Sequence, residues 1–274
     1  MSPEAHGIVA TSIVGNLLPR LTRTHRRRRI AVIAGPPGIG KSTAIRLLKE
    51  EEQACVAVVS VPPGPAGGLK PMAALHLAIE AVDELLGPSY RERAPSAYVE
   101  LRNRFFGLVC RWAGIPAAEV RRDHLDAEQF PPLTLVFDEA QNLSREAIEM
   151  LRFLNDGNGG FSPLPVGLIF VGNNEFILKA ERGGPSVLSA AVADRALYIE
   201  TFAYSDVTND DLALFFEARG VIDTAALQLV VRHFGSGRTD RSFRRAADLA
   251  ADLIDEAAGA PITPEIVREV LSLV

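Results

Sequence analysis

Cysteine is nearly missing from this chain: Cys55 and Cys110 are the only two in 274 residues. They lie in "ACVAVV" and "FFGLVCRW" and are expected as small buried hydrophobes; two thiols make neither a disulfide framework nor a zinc cluster. Histidine is scarce as well, and His6, His25, His76, His124 and His233 show no metal-ligand spacing. No local context assembles a Ser–His–Asp or Cys–His arrangement. Long apolar runs are lacking, since none approaches the roughly 18 residues of a membrane span. The opening "MSPEAHGIVATSIVGNLL" has neither the early positive charge nor the apolar core of a secretory signal. A soluble cytoplasmic protein with no membrane partner is the expectation. Excess charge of one sign is absent too, with 29 Lys and Arg against 34 Asp and Glu for a net charge of −5. That balance excludes coating nucleic acid by bulk charge, so any DNA contact must come from a local patch.

What is present is an alternation of short apolar runs and helical patterns. "IAVIA" (30–34), "CVAVVSV" (55–61), "LTLVFDEA" (133–140, strand-like to Asp138), "VGLIFVGN" (166–173) and "ALYIE" (196–200) read as strands. Helical patterns separate them over 42–53, 71–87, 96–114 and 144–156, with Pro71 in a first turn and Ser96 and Ser144 as openers. "NEFILKAE" and "GPSVLSAAVADR" read as short helices, and "NDGNGGFSPLP" as a turn-rich loop. After Phe202 the strands stop and four helical patterns follow one another. This predicts an α/β fold: a five-stranded parallel sheet flanked by helices, then a small all-helical domain. The expected divisions are a basic N-terminal segment (1–29), a nucleotide-binding α/β domain (30–202) and a helical lid (203–274). Trp112, Phe105 and Phe106 fall on a helical pattern and are expected in the core.

Between the first strand and the first helical pattern stands "GPPGIGKST", Gly35 to Thr43. Gly35, Gly38, Gly40, Lys41 and Ser42 match the phosphate-loop pattern G-x-x-x-x-G-K-[ST]. Glycines let the backbone turn tightly and bring N–H groups against an anion. The helix that follows offers its positive N-terminal end. Lys41 supplies a full charge for the β- and γ-phosphates, and Ser42 a hydroxyl for Mg²⁺. Pro36, Pro37, Ile39 and Thr43 complete the nucleotide-binding stretch. About 100 residues on, Asp138 and Glu139 end an apolar strand. Asp138 is placed to hold Mg²⁺, and Glu139 to orient and deprotonate an attacking water. ATP with Mg²⁺ is the expected ligand, and hydrolysis the expected reaction.

Taken together the chain resembles the AAA+ ATPases over nearly its whole length. "GPPGIGKST" looks like their Walker A element, "LVFDEAQNLS" their Walker B element and "LIFVGNN" their sensor 1 strand. Within that superfamily "LVFDEAQNLSREAIEMLRFLND" is most similar to the DNA-transposition ATPases of the phage Mu B and Tn7 C type. The resemblance implies a P-loop AAA+ core with a helical lid. It places Asn173 near the γ-phosphate, with Asn174 beside it as the competing register. It implies that Arg195 is the arginine finger, with Arg182 as alternative, and that Arg241 is the sensor 2 residue, with Arg238 as alternative. A finger completes a neighbour's site, so a homo-oligomer is implied. Duplex DNA and a transposase or other protein partner are implied as well. Fewer than 35 residues precede the loop, too few for the additional N-terminal DNA-binding domain of the phage Mu protein.

Upstream, "RTHRRRRI" gathers Arg23, Arg26, Arg27, Arg28 and Arg29. Two readings stand side by side: contacts to phosphate backbones, chiefly by Arg26 to Arg29, or a solvated segment guarding a buried strand. Lys70, Arg121 and Arg122 are candidates to extend a patch. The functional expectation is an ATP-dependent DNA-binding regulator of transposition or a related mobile-element process. The alternative is an AAA+ ATPase that remodels a protein partner without binding DNA.

Overall fold

Five apolar runs form five parallel strands: β1 (Ile30–Ala34), β2 (Val56–Ser60), β3 (Leu133–Asp138), β4 (Val166–Gly172) and β5 (Ala196–Thr201). They stand in the order β2-β3-β4-β1-β5, and every pairing is parallel. The computed structural model describes residues 9–52, 55–64, 66–87, 97–118, 120, 128, 130–156, 163–174, 188–235 and 240–273. The three central strands are buried throughout, apart from Asp138 at the tip of β3. A parallel sheet covered on both faces requires such unbroken apolar runs. Edge strand β5 is partly exposed, and its sequence "ALYIET" is correspondingly mixed.

The helices are α1 (Ser12–Arg26), α2 (Lys41–Glu51), α3 (Pro71–Leu85), α4 (Tyr98–Ala113), α5 (Arg145–Asp156), α6 (Ala190–Arg195), α7 (Asn209–Glu217), α8 (Thr224–Gly235), α9 (Phe243–Ala257) and α10 (Pro264–Leu273). Most coincide with the sequence reading to within a few residues. Ser144 does cap α5, its hydroxyl accepting the Ala147 N–H at 3.2 Å. Helix α1 is the element that reading omits. Pro19 lies inside it, and an interior proline ordinarily argues against a helix. Burial of Ile13, Val14, Leu17 and Leu21 along one stripe carries it nonetheless. Cys110 is buried as expected, whereas Cys55 is only half-buried because it precedes β2 rather than lying in it. Phe105 and Phe106 are buried, and Trp112 packs at the core's margin. Ser96, "NEFILKAE" beyond Asn174 and the loop tip 157–162 lie outside the described residues.

The chain resolves into two compact units. One holds Pro19–Ala34 and Ile45–Thr201, and so the whole sheet. Its main core joins one sheet face (Val32, Leu135, Phe137, Leu168 and Phe170 among others) to α3, α4 and α5. Phe137 and Phe170 stack at 5.5 Å between ring centroids. They are register partners on β3 and β4, while Ile33 pairs with Val171 and Ala34 with Gly172. The carboxyl ends of β1, β3 and β4 therefore finish in one row, where ligands of open α/β sheets gather. The other unit holds the chain up to Leu18, Gly35–Ala44 and Phe202 onward. There α7 to α10 enclose buried Phe216 and Phe234, 6.0 Å apart.

Inside the sheet unit, His25 is buried with its Nδ1 2.9 Å from the hydroxyl of Thr134 on β3. Burial pushes its pKa below the usual value; Glu52 works against that shift, and Arg26 and Arg28 with it. Below about pH 6.5 the unfolded chain takes up this proton more readily than the folded one. Stability must therefore fall as pH drops through that region. We expect His25→Gln to flatten the pH 7 to 5.5 part of the stability profile, measured by urea unfolding at stepped pH.

Candidate functional site

The loop begins at the residue after β1, and its unit shows why glycine occupies each turning point. Gly38 has φ +76° and Gly40 φ +105°, the left-handed region that glycine enters without strain. A Cβ at Gly38 would lie 2.2 Å from the hydroxyl of Ser242 and 3.2 Å from the backbone nitrogen of Arg244. The start of α9 thus rests on the loop. The Phe243 N–H donates to the Gly38 carbonyl at 2.7 Å. Tyr204 donates its phenol to the Pro37 carbonyl at 3.3 Å, and Ser242 its hydroxyl to the same oxygen at 3.4 Å. Lys41 donates from Nζ to the carbonyls of Gly35 and Pro36, both at 2.7 Å, which holds the ammonium against the loop. Ile39 is buried beneath it. Ser42 is exposed in the first turn of α2, with Thr43 half-buried next to it.

The start of α1 belongs to this same surrounding. A Cβ on Gly40 would approach Val14 to 3.2 Å. Buried Asp211 accepts from the Ser12 backbone N–H at 2.5 Å and the Ser12 hydroxyl at 2.6 Å. It also accepts from the Thr208 N–H and hydroxyl, each at 2.9 Å. One carboxylate thereby caps two helices. Burial alone would raise its pKa, but the hydrogen bonds from Ser12 and Thr208 outweigh burial and hold it low.

Among the lid arginines, Arg241 lies ahead of α9 rather than in it, and it donates to the Val207 carbonyl at 2.7 Å. It lines an open pocket of about 520 Å³ with Asn209, Asp210, Gln228 and Arg232. Arg238 lies outside the described residues. Arg244 is the lid arginine whose backbone nitrogen and Cβ would each lie 3.2 Å from a Cβ placed on Gly38. It is the second residue of a helix whose start rests on the loop, and that position is what distinguishes it.

In the sheet unit, β3 ends in a tight turn. Glu139 adopts φ +59°, ψ +38°, a left-handed conformation that non-glycine residues take at a cost. Its N–H donates to Asp138 Oδ1 at 3.0 Å. A 3₁₀ turn, Ala140–Asn142, follows and brings Gln141 back toward the acid. Gln141 donates from Nε2 to the Glu139 carboxylate and accepts the Asn173 N–H at 3.1 Å. Glu139, Gln141 and Asn173 are thus joined, and Asp138 is adjacent. Gln141 is a residue that sequence reasoning overlooks. Neighbouring Asn174 has its side-chain oxygen buried without a partner among the described residues.

The arginines stand elsewhere. Arg195 closes α6 just before β5, more than half exposed, 3.9 Å from Asp156 and 3.8 Å from Asp194. That is the amino-terminal edge of a parallel sheet, one strand length (roughly 17 Å) from the row containing Asp138. Arg182, Arg121 and Arg122 lie outside the described residues. Within the basic run, Arg26 pairs with Glu52 at 3.0 Å. Arg28 donates to the Phe130 carbonyl at 2.5 Å, and Arg29 to the Arg195 carbonyl at 3.4 Å. Arg27 is exposed. The run precedes β1, so it too sits at the sheet's amino-terminal edge.

The Ser42 hydroxyl in the loop's unit and the Asp138 carboxylate in the sheet unit are each hard oxygen donors, of the kind that suits magnesium. Replacing Gly38 by alanine strains the loop and forces Ser242 aside. We expect Gly38→Ala to lower unfolding free energy by about 1–3 kcal/mol, measured by urea unfolding without nucleotide.

A family model described as AAA domain matches residues 23–178. No curated protein matches the sequence. Among solved structures, Cdc6p from Pyrobaculum aerophilum is similar at 19% identity and a TM-score of 0.63, covering 100% of this chain and 70% of its own. The Thermotoga maritima RuvB Holliday junction branch migration motor matches at 15% identity and 0.56, covering 97% and 70%. The Aeropyrum pernix ORC2 protein, solved as ADPNP–ADP complexes, matches at 17% and 0.58, covering 96% and 66%. Those likenesses are of fold: a five-stranded parallel sheet with flanking helices and helices at the C-terminus. The Mu B and Tn7 C resemblance is not among them. With the family model spanning more than half of its length, the chain belongs to the AAA domain family.

Proposed function

We propose that this protein binds ATP with Mg²⁺ and hydrolyses it. The observation that carries the reading is the loop itself, with Gly38 and Gly40 in left-handed turns and Lys41 held against it. In this reading the loop amides and Lys41 bind the phosphates, and Ser42 and Asp138 hold the metal, which neutralises phosphate charge when bound. Glu139 takes a proton from water as its oxygen bonds to the γ-phosphorus and the bond to the β–γ bridging oxygen breaks. Asn173 orients near that phosphate. Arg241 is the lid residue assigned to phosphate, and would release its bond to Val207 to reach it; Arg244, whose backbone lies beside the loop at Gly38, is the competing lid arginine. Arg195 serves as the finger for a neighbouring copy; its exposure and its place on the amino-terminal edge support a contact in trans and disfavour one in cis. Glu139→Gln is expected to lower kcat by about 10²-fold or more while ATP still binds, read by phosphate release beside nucleotide-binding titration.

We further propose assembly on duplex DNA, in a regulator of transposition or another mobile-element process. The similarity of fold to a branch-migration motor supports a DNA-associated role. A second reading, remodelling of a protein partner without DNA, is favoured by the engagement of Arg26, Arg28 and Arg29 in intramolecular bonds. The two separate on one measurement. The DNA reading expects ATP to promote oligomers on duplex DNA, with affinity falling steeply as salt rises from 50 to 200 mM. Gel-shift titration without any ATP-dependent complex leaves the partner reading.

A further inference from the structure

Gln141 has no part in the function proposed above, yet its side chain is engaged at both ends. Nε2 donates to Glu139, and Oε1 accepts the backbone N–H of Asn173. Chemistry fixes which way the amide faces: a backbone N–H only donates, and an ionised carboxylate only accepts. A side chain that links the two must carry one acceptor and one donor at this reach, as glutamine does. Glutamate offers two acceptors, and leucine neither.

The turn that presents Gln141 is tied on several sides. The Asn142 N–H donates to the Glu139 carbonyl at 2.9 Å and the Leu143 N–H to the Ala140 carbonyl at 3.0 Å. Asn142 donates from its side chain to the Val61 carbonyl at 3.0 Å. Leu69 pairs with this segment from outside, its N–H donating to Asn142 at 2.7 Å and its carbonyl accepting from Ser144 at 3.0 Å. Residue 141 therefore has little freedom to drift. Glu139, by contrast, is exposed at the end of a flexible side chain, and ordering it costs rotamer entropy.

We infer that Gln141 is a positioning residue for hydrolysis: it selects one placement of the Glu139 carboxylate and couples it to the end of β4 through Asn173. A shift of the Asn173 backbone is passed through a rigid amide to the carboxylate. The inference rests on Glu139 being the base. It requires Gln141 to act on turnover through Glu139, and not on nucleotide affinity.

The test is a double-mutant cycle on the full-length protein, with Mg²⁺ and ATP. Gln141→Glu keeps an oxygen toward Asn173 and turns the donor facing Glu139 into a repelling oxygen; Gln141→Leu removes both links without adding charge. Each is expected to lower kcat about tenfold or more. KM for ATP, and the Kd of a non-hydrolysable analogue, should stay within about threefold of wild type. Combining Gln141→Leu with Glu139→Gln should give the rate of Glu139→Gln alone, since a positioning residue has nothing left to position. Wild-type turnover in Gln141→Leu, with Glu139→Gln slow, overturns this inference and leaves the base assignment standing. A double variant slower than Glu139→Gln by the full Gln141→Leu factor also overturns it. Wild-type turnover in Glu139→Gln removes the base assignment itself, and this inference with it.

Discussion

The parallel pairing of β3 with β4 is the constraint on which the sheet-borne half of the site depends. Phe137 faces Phe170 in register, and their rings stack at 5.5 Å. A shift of either strand by one residue would turn its ring to the opposite face and leave a hole in the core that α3, α4 and α5 cover. Because the register cannot slip, the residues beyond the two strand ends are brought side by side: Asp138 and Glu139 from β3, Asn173 from β4. The Gln141 amide bridges the ends of two strands that the backbone ladder holds side by side. Packing energy far from any ligand thus determines the geometry of polar groups at the sheet's edge.

Three polar groups taken out of water show three different ways of meeting the cost of burial. Asp211 serves as capping-box partner for α7 and accepts the first N–H of α1 as well. Its carboxylate stays ionised because four hydrogen-bond donors offset the burial penalty. His25 meets the opposite fate. Thr134 gives its ring one partner, but neighbouring Arg26 and Arg28 add to burial in favouring the neutral form. The phosphate loop shows a third solution: its carbonyls at Gly35, Pro36, Pro37 and Gly38 are bonded by Lys41, Tyr204, Ser242 and Phe243. The loop is held as much by its own unit as by its glycines.

The arginine-rich run illustrates how intramolecular bonding competes with surface function. An arginine bonded to Glu52 or to a main-chain carbonyl must give up that bond, or share it, to contact a phosphate. Arg27 carries no such competing contact among those described.

The sequence by itself determined the strands, the C-terminal helices, the glycine turns that follow β1 and the two acids that end β3. Local rules suffice for these: apolar runs bounded by turns, a fixed spacing of glycines before a lysine, two acids ending a strand. Helix α1 went unread: Pro19 interrupts its local signal, and burial of Ile13, Val14, Leu17 and Leu21 is what carries it. Tertiary structure alone decided the strand order, the bond from Asn173 to Gln141, and the resting of the start of α9 on the loop. The physical reason is the same in each case. These depend on groups distant in sequence reaching hydrogen-bonding distance, and such distances are set by core packing and strand register, which no local pattern encodes.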